Sequence, residues 1–197
     1  MNRRAAFAYS TLAVLILVVV WALFVVVPRW YTDDAASIVR PAAPTENATR
    51  KITARLFYVT EDGLHLVAVE REVVYGEGTV EQARRIIEAQ LDPAPEPYAS
   101  AIPTGTRLRT VFVSGQGEAY VDLSPEVRWA HPGGSLNEIL TVYTIVDALT
   151  ANLPAITAVQ VLIDGREVDT LAGHIDLRRP LQEDTRYIAD TTSETKP

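Results

Sequence analysis

The sequence predicts an α+β domain behind a single amino-terminal transmembrane helix. Three observations lead there: one long run that is apolar on every face, short β-rich runs paired across Asp-Gly and Gly-rich turns, and two stretches whose apolar residues recur at helical spacing. The 197 residues, 48% hydrophobic and 22% charged, have room for one ordinary domain and an accessory segment. The net charge of −7 gives nucleic acid no bulk electrostatic reason to bind. Absence of cysteine excludes disulfides, thiolate chemistry, Cys-based metal sites and cysteine-anchored lipids.

Residues 1–8 read as a short cytoplasmic tail carrying Arg3 and Arg4, and residues 9–28 as the transmembrane helix. No charge interrupts Ala5 to Pro28. At about 1.5 Å per residue Ala5 to Val27 spans roughly 34 Å, enough to cross a hydrocarbon core of about 30 Å. The two arginines on one side, and Trp30 and Tyr31 at the other interface, place the amino terminus in the cytoplasm and the domain outside it. A cleaved signal would be shorter and would end in a small-x-small site, which Pro28-Arg29-Trp30-Tyr31 is not. Residues 29–50, rich in Ala, Thr, Pro and charge, read as a flexible linker. From Arg29 onward 16 basic residues face 25 acidic ones, which disfavours docking on an anionic membrane surface.

Residues 51–181 form the expected domain. Arg55–Val59 and Leu64–Val74 flank Glu61-Asp62-Gly63, a hairpin signal. Thr79 and Gln82 have capping-box spacing ahead of Val80, Ala83, Ile87 and Leu91, and three prolines after Asp92 end that helix. Arg107–Val113 and Glu118–Leu123 make a second hairpin across Ser114-Gly115-Gln116-Gly117. Ser135 and Glu138 repeat the capping-box spacing, and Ile139, Val142, Val146, Leu149 and Leu153 form a continuous helical stripe, with Thr141, Thr144 and Ala148 on other sides. Ala158–Ile163 and Arg166–Leu171 make a third hairpin, followed by a short strand over His174–Leu177. Two helices on one face of a largely antiparallel or mixed sheet follow from that order. Residues 182–197 read as a polar, disordered tail.

Few residues offer chemistry. His65, His131 and His174 share no ligand-like local spacing, and the His174-Ile175-Asp176 alternation arises in any strand, so no metal is expected. Ser135 follows two glycines at a helix start, where a nucleophile could sit, but a cap explains it and Asn137 occupies the place a nucleophile elbow gives to glycine. The carboxylates of Asp122, Glu126, Asp164 and Asp176 define no locatable pair. Gly115-Gln116-Gly117 is a turn rather than a phosphate loop, and no cofactor is expected. Trp129 and His131, beside Arg128 and Pro132, form the candidate recognition surface, with closure of the core edge the equal alternative for Trp129.

Several separated pieces resemble the GerMN domain of sporulation and spore-germination proteins. They are Ala101–Thr106, Ala119–Ser124, Gly133–Glu138, Val159–Arg166 and Leu171–Leu177, in that order across about 130 residues. The resemblance implies a small exported α+β module, without catalytic residues or cofactor, acting by interaction at the bacterial cell envelope; family members are often lipoproteins or carry tandem copies, whereas this sequence has no cysteine and a single copy. The expected partners are the cytoplasmic membrane through the amino-terminal helix, and an envelope protein or peptidoglycan through the domain. Two other readings stand beside this: an envelope hydrolase using Ser135 or a carboxylate pair, and an envelope ligand sensor. Oligomeric state is not legible.

Overall fold

The computed structural model describes residues 50–189 and, singly within the amino-terminal segment, Trp21. The chain divides into two units, Met1–Thr45 and Glu46–Pro197, and the architecture below belongs to the second. The expected transmembrane helix and linker lie outside the described residues, apart from Trp21 and Arg50. Among the described residues, no helix is long and apolar enough to cross a membrane.

The domain is α+β, with two sheets and three α-helices among the described residues. Strands β1 (Lys51–Val59) and β2 (Leu66–Val74) form an antiparallel hairpin. Its turn is set by Asp62, whose carboxylate accepts the Leu64 N–H, and by Gly63 at φ 74°. Helix α1 (Gly78–Leu91) leads to β3 (Leu108–Val113) and β4 (Glu118–Leu123), a second antiparallel pair. A short helix α2 (Glu126–Trp129), which the sequence reading missed, precedes the long helix α3 (Ser135–Thr150). Helix α3 then crosses over to β5 (Ala158–Ile163), which lies parallel to β4 with Ala119 opposite Val159 and Val121 opposite Val161. The four-stranded sheet is completed by β6 (Arg166–Glu167), in the order β3-β4-β5-β6.

Helices α1 and α3 pack on each other and on both sheets. Helix α3 is therefore buried nearly all round. Thr141, Thr144 and Ala148, placed on its open sides from the sequence, are as buried as Leu140, Ile145 and Leu149. One continuous apolar cluster joins Leu140, Ile145, Ala148 and Leu149 to Leu56 and Tyr58 of the hairpin and to Val121, Leu123 and Val161 of the sheet.

The free edge of β1 is closed by side chains, and this attaches the hairpin to the helices. Gln90 at the end of α1 mimics a strand: its Oε1 accepts the Phe57 N–H and its Nε2 donates to the Phe57 carbonyl, both at 2.8 Å. Asn152 beyond α3 does the same for Arg55, at 2.8 and 2.7 Å. Val59 exchanges two backbone bonds with Ala99. Residues 55, 57 and 59 alternate along one edge, so three successive outward backbone pairs are satisfied without another strand.

Neither capping box forms. Helix α1 starts at Gly78, and the Gln82 amide reaches back past the helix end, accepting the Gly76 N–H at 2.9 Å and donating to the Val74 carbonyl. Glu138 is likewise drawn away from the start of α3, whose N-cap is Gly134. The third hairpin is shorter than expected, and His174–Leu177 is not a strand. The amides of Leu171, Ala172 and His174 bond to the Glu138 carboxylate instead of a ladder. The expected disordered tail also begins too early. A 3-10 turn at Thr185–Tyr187 and a bridge between Ile188 and Leu66 hold residues as far as Ala189 on the domain, while 190–197 lie outside the described residues.

Candidate functional site

The segment from Ser124 to Glu138 gathers the candidate residues. Ser124 leaves β4 by exchanging bonds with Arg107, accepting its N–H on Oγ at 2.9 Å. Helix α2 buries Val127 and turns Trp129 outward. Trp129 is 78% exposed, so it does not close the core edge. An indole held open to water forgoes roughly 1.5–3 kcal/mol of burial, and tryptophan is enriched among the side chains that anchor protein interfaces.

His131, two residues on, faces inward. Its Nδ1 accepts the Gly133 N–H at 2.9 Å, so the proton of the neutral ring sits on Nε2, which donates to Thr141 Oγ at 3.2 Å. The Thr141 hydroxyl in turn donates to the Ala101 carbonyl at 2.7 Å. Burial lowers the His131 pKa, outweighing the opposing effects of a backbone bond and of Glu138, so the ring stays neutral at pH 7. His131 therefore fixes the loop that presents Trp129, and both of its ring nitrogens are occupied.

Glu138 is the residue whose role the sequence conceals. Its side chain is completely buried, yet it accepts the N–H groups of Leu171 and Ala172 on Oε1 and of His174 on Oε2, each at 2.8 Å. His174 Nδ1 adds a fourth bond at 3.1 Å. Burial by itself would raise the Glu138 pKa, but the amide donors outweigh it and hold the carboxyl below its ordinary value of 4.5. The 171–174 loop thus folds as a nest around an anion supplied by α3.

The remaining candidates have structural partners. Asp122 receives Arg109 Nε at 3.1 Å and the Gly165 N–H at 2.8 Å, and Asp164 shares the same arginine. Glu126 pairs with Arg107, and Asp176 with Arg178. His174 and Asp176 part company, one to Glu138 and the other to Arg178. Ser135 sits exposed at the first residue of α3, and no hydrogen bond joins it to a histidine or carboxylate among the described residues. Among those residues no group of three or more His, Asp or Glu could hold a metal ion. Gly115-Gln116-Gly117 is the β3–β4 turn, with Gly117 at φ 84° against the Ala155 carbonyl.

Segments far apart in sequence meet here: Gly133–Glu138 and Leu171–Leu177 through the Glu138 nest, Ala119–Leu123 and Val159–Ile163 through the parallel ladder. The overall fold is similar to that of solved structures. The first GerMN domain of the sporulation protein GerM from Bacillus subtilis superimposes with a TM-score of 0.53 at 20% identity, over 66% of this chain and 97% of that one. The tandem GerMN domains of the same protein give 0.50 at 18% identity, over 68% of this chain and 46% of theirs. No curated protein matches. A family model, Germane (sporulation and spore germination), matches residues 55–169. The chain belongs to this Germane family.

Proposed function

We propose that this protein is a non-enzymatic interaction module of the bacterial cell envelope, held to the cytoplasmic membrane by residues 9–28 with its domain on the extracytoplasmic side, and that it acts in a sporulation- or germination-related process. One observation carries the reading: His131, His174 and the candidate carboxylates are engaged with one another, with arginines or with backbone, and Ser135 has no histidine or carboxylate partner among the described residues, whereas Trp129 of α2 is left in water. The Germane match supports the process, and the apolar run before residue 29 with its flanking arginines supports the anchor. The partner is an envelope protein or peptidoglycan, met by Trp129 on the loop that His131 sets.

The test uses the full-length protein in native membranes. Affinity capture recovers an envelope protein or peptidoglycan fragments with the native sequence, and Trp129→Ala lowers the recovery about tenfold while leaving the fold intact. Unchanged recovery removes Trp129 from the reading. Release of soluble fragments from cell-wall material by the purified protein, abolished by Ser135→Ala, would replace it with a hydrolase.

A further inference from the structure

Asp147 is an anomaly in the middle of α3. Its residue is completely buried, between Val146 and Ala148 in a helix that carries core residues on most sides. Oδ1 accepts one long bond, from the Asp184 N–H at 3.4 Å, and Oδ2 is buried with no partner. Thr144, one turn earlier, has a buried hydroxyl that is also unpartnered. An ionised carboxylate normally needs several donors or a cation when removed from water, and among the described residues this one has neither.

Over it lies the carboxy-terminal segment 182–189. The segment is rooted at Leu181, which exchanges two 2.8 Å backbone bonds with Val159. It is latched at its far end by the Ala189 N–H on the Leu66 carbonyl, at 2.7 Å. Between these points Tyr187 packs on Tyr143 of α3, with ring centroids 4.9 Å apart. The groups facing Asp147 from this segment are two carboxylates, Glu183 and Asp184; Arg186 is turned to Asp184, and Tyr187 to Tyr143. On α3 itself Tyr143 is the nearby ionisable group. β1, α1 and β5, which also pack on α3, bring no charge to bear on this carboxyl.

We propose that residues 182–189 are a strap that stays closed over α3 while Asp147 is protonated and is released when Asp147 ionises, making the Tyr143 and Leu66 surface accessible in a pH-dependent way. Neutral, the carboxyl can remain in its dry site beneath the strap. Charged, it is drawn toward water and repelled by Glu183 and Asp184, and opening the strap satisfies both. Burial pushes the closed-state pKa from 3.8 up to about 7, so the transition falls in the neutral range. One proton is then bound in the closed state and lost in the open state between these two values. The opening equilibrium should rise about tenfold per pH unit up to about pH 7 and level off above.

Hydrogen exchange of the full-length protein tests this, with exchange times scaled for the intrinsic pH dependence of amide chemistry. Protection of the Asp184 and Ala189 amides should fall about 50-fold from about pH 5 to about pH 7 and only about twofold further by about pH 8, while amides of β4 and β5 stay more strongly protected than the strap at every pH. Asp147→Asn, a neutral isostere, should flatten the profile. Glu183→Gln, which leaves α3 untouched, removes a charge that raises the Asp147 pKa, so the fall in strap protection should be smaller and level off at a lower pH, and it serves if the first variant does not fold. Flat strap protection across this range in the native sequence overturns the proposal. So does an unchanged slope in Asp147→Asn, or β4 and β5 protection no greater than that of the strap.

Discussion

Replacing Glu138 tests the most concentrated set of polar contacts in the domain. Glu138→Ala removes the acceptor for three backbone N–H groups and for His174 Nδ1. Hydrogen bonds to a charged partner contribute about 1.5–3 kcal/mol each, and an unsatisfied buried donor costs about 1–3 kcal/mol. Only Leu171 among the three backbone donors is fully buried, and the others can find water once the loop loosens. The expected loss is therefore about 2–4 kcal/mol rather than the full sum. Glu138→Gln keeps an oxygen for Leu171 and Ala172 but turns an NH2 toward His174, so about half of that loss is expected. Urea unfolding of the full-length protein, followed by circular dichroism, measures both. A change below about 0.5 kcal/mol for Glu138→Ala would refute the nest as an energetic centre. The sign with pH follows from the depressed pKa: the Glu138 contribution is complete above its unfolded value of 4.5 and is lost as pH falls below it.

Four further outcomes are expected. Gln90→Ala strips both partners from the buried Phe57 backbone and should cost about 2–4 kcal/mol in the same unfolding assay. Gly76→Ala would place a Cβ 2.6 Å from backbone atoms of Glu81 and Gln82, so the start of α1 must shift, and a loss of at least about 2 kcal/mol or of soluble expression is expected. Trp129→Ala should leave stability within about 0.5 kcal/mol, since its ring contributes little to the core. Stability of the native sequence should decline from about pH 4 to about pH 7, because the raised Asp147 pKa favours folding most where the carboxyl is protonated in both states, and a shift of about three units corresponds to about 4 kcal/mol. Asp147→Asn should remove that decline.

Apolar periodicity made most of the fold legible. The Asp-Gly turn between β1 and β2, the stripe of α3 and the proline stop after Leu91 all read correctly because each depends on residues within a few positions. Both capping boxes misled for the opposite reason. Gln82 and Glu138 satisfy amides that tertiary structure brings close, at Gly76 and at Leu171–His174, and spacing along the chain is blind to those. The same competition ended the last strand early, since the 171–174 amides find a carboxylate before they find a ladder. Closure of the β1 edge by Gln90 and Asn152 was equally hidden. Trp129 was legible as a candidate but its exposure was not, because only the packing of α2 decides which way the indole turns. Asp147 carried a signal that periodicity passed over: an acidic residue flanked by Ile145, Val146, Ala148 and Leu149 has no polar face to occupy.

The central claim is that the domain works by presenting Trp129 to an envelope partner rather than by catalysis. Site-specific photo-crosslinking in native membranes addresses it directly, with a photoreactive residue placed at Trp129 of the full-length protein and, as an exposed control, at Glu61 in the β1–β2 turn. The account predicts a discrete adduct to an envelope protein or to peptidoglycan from position 129 that is absent from position 61. Equal or absent adducts at the two positions would contradict it.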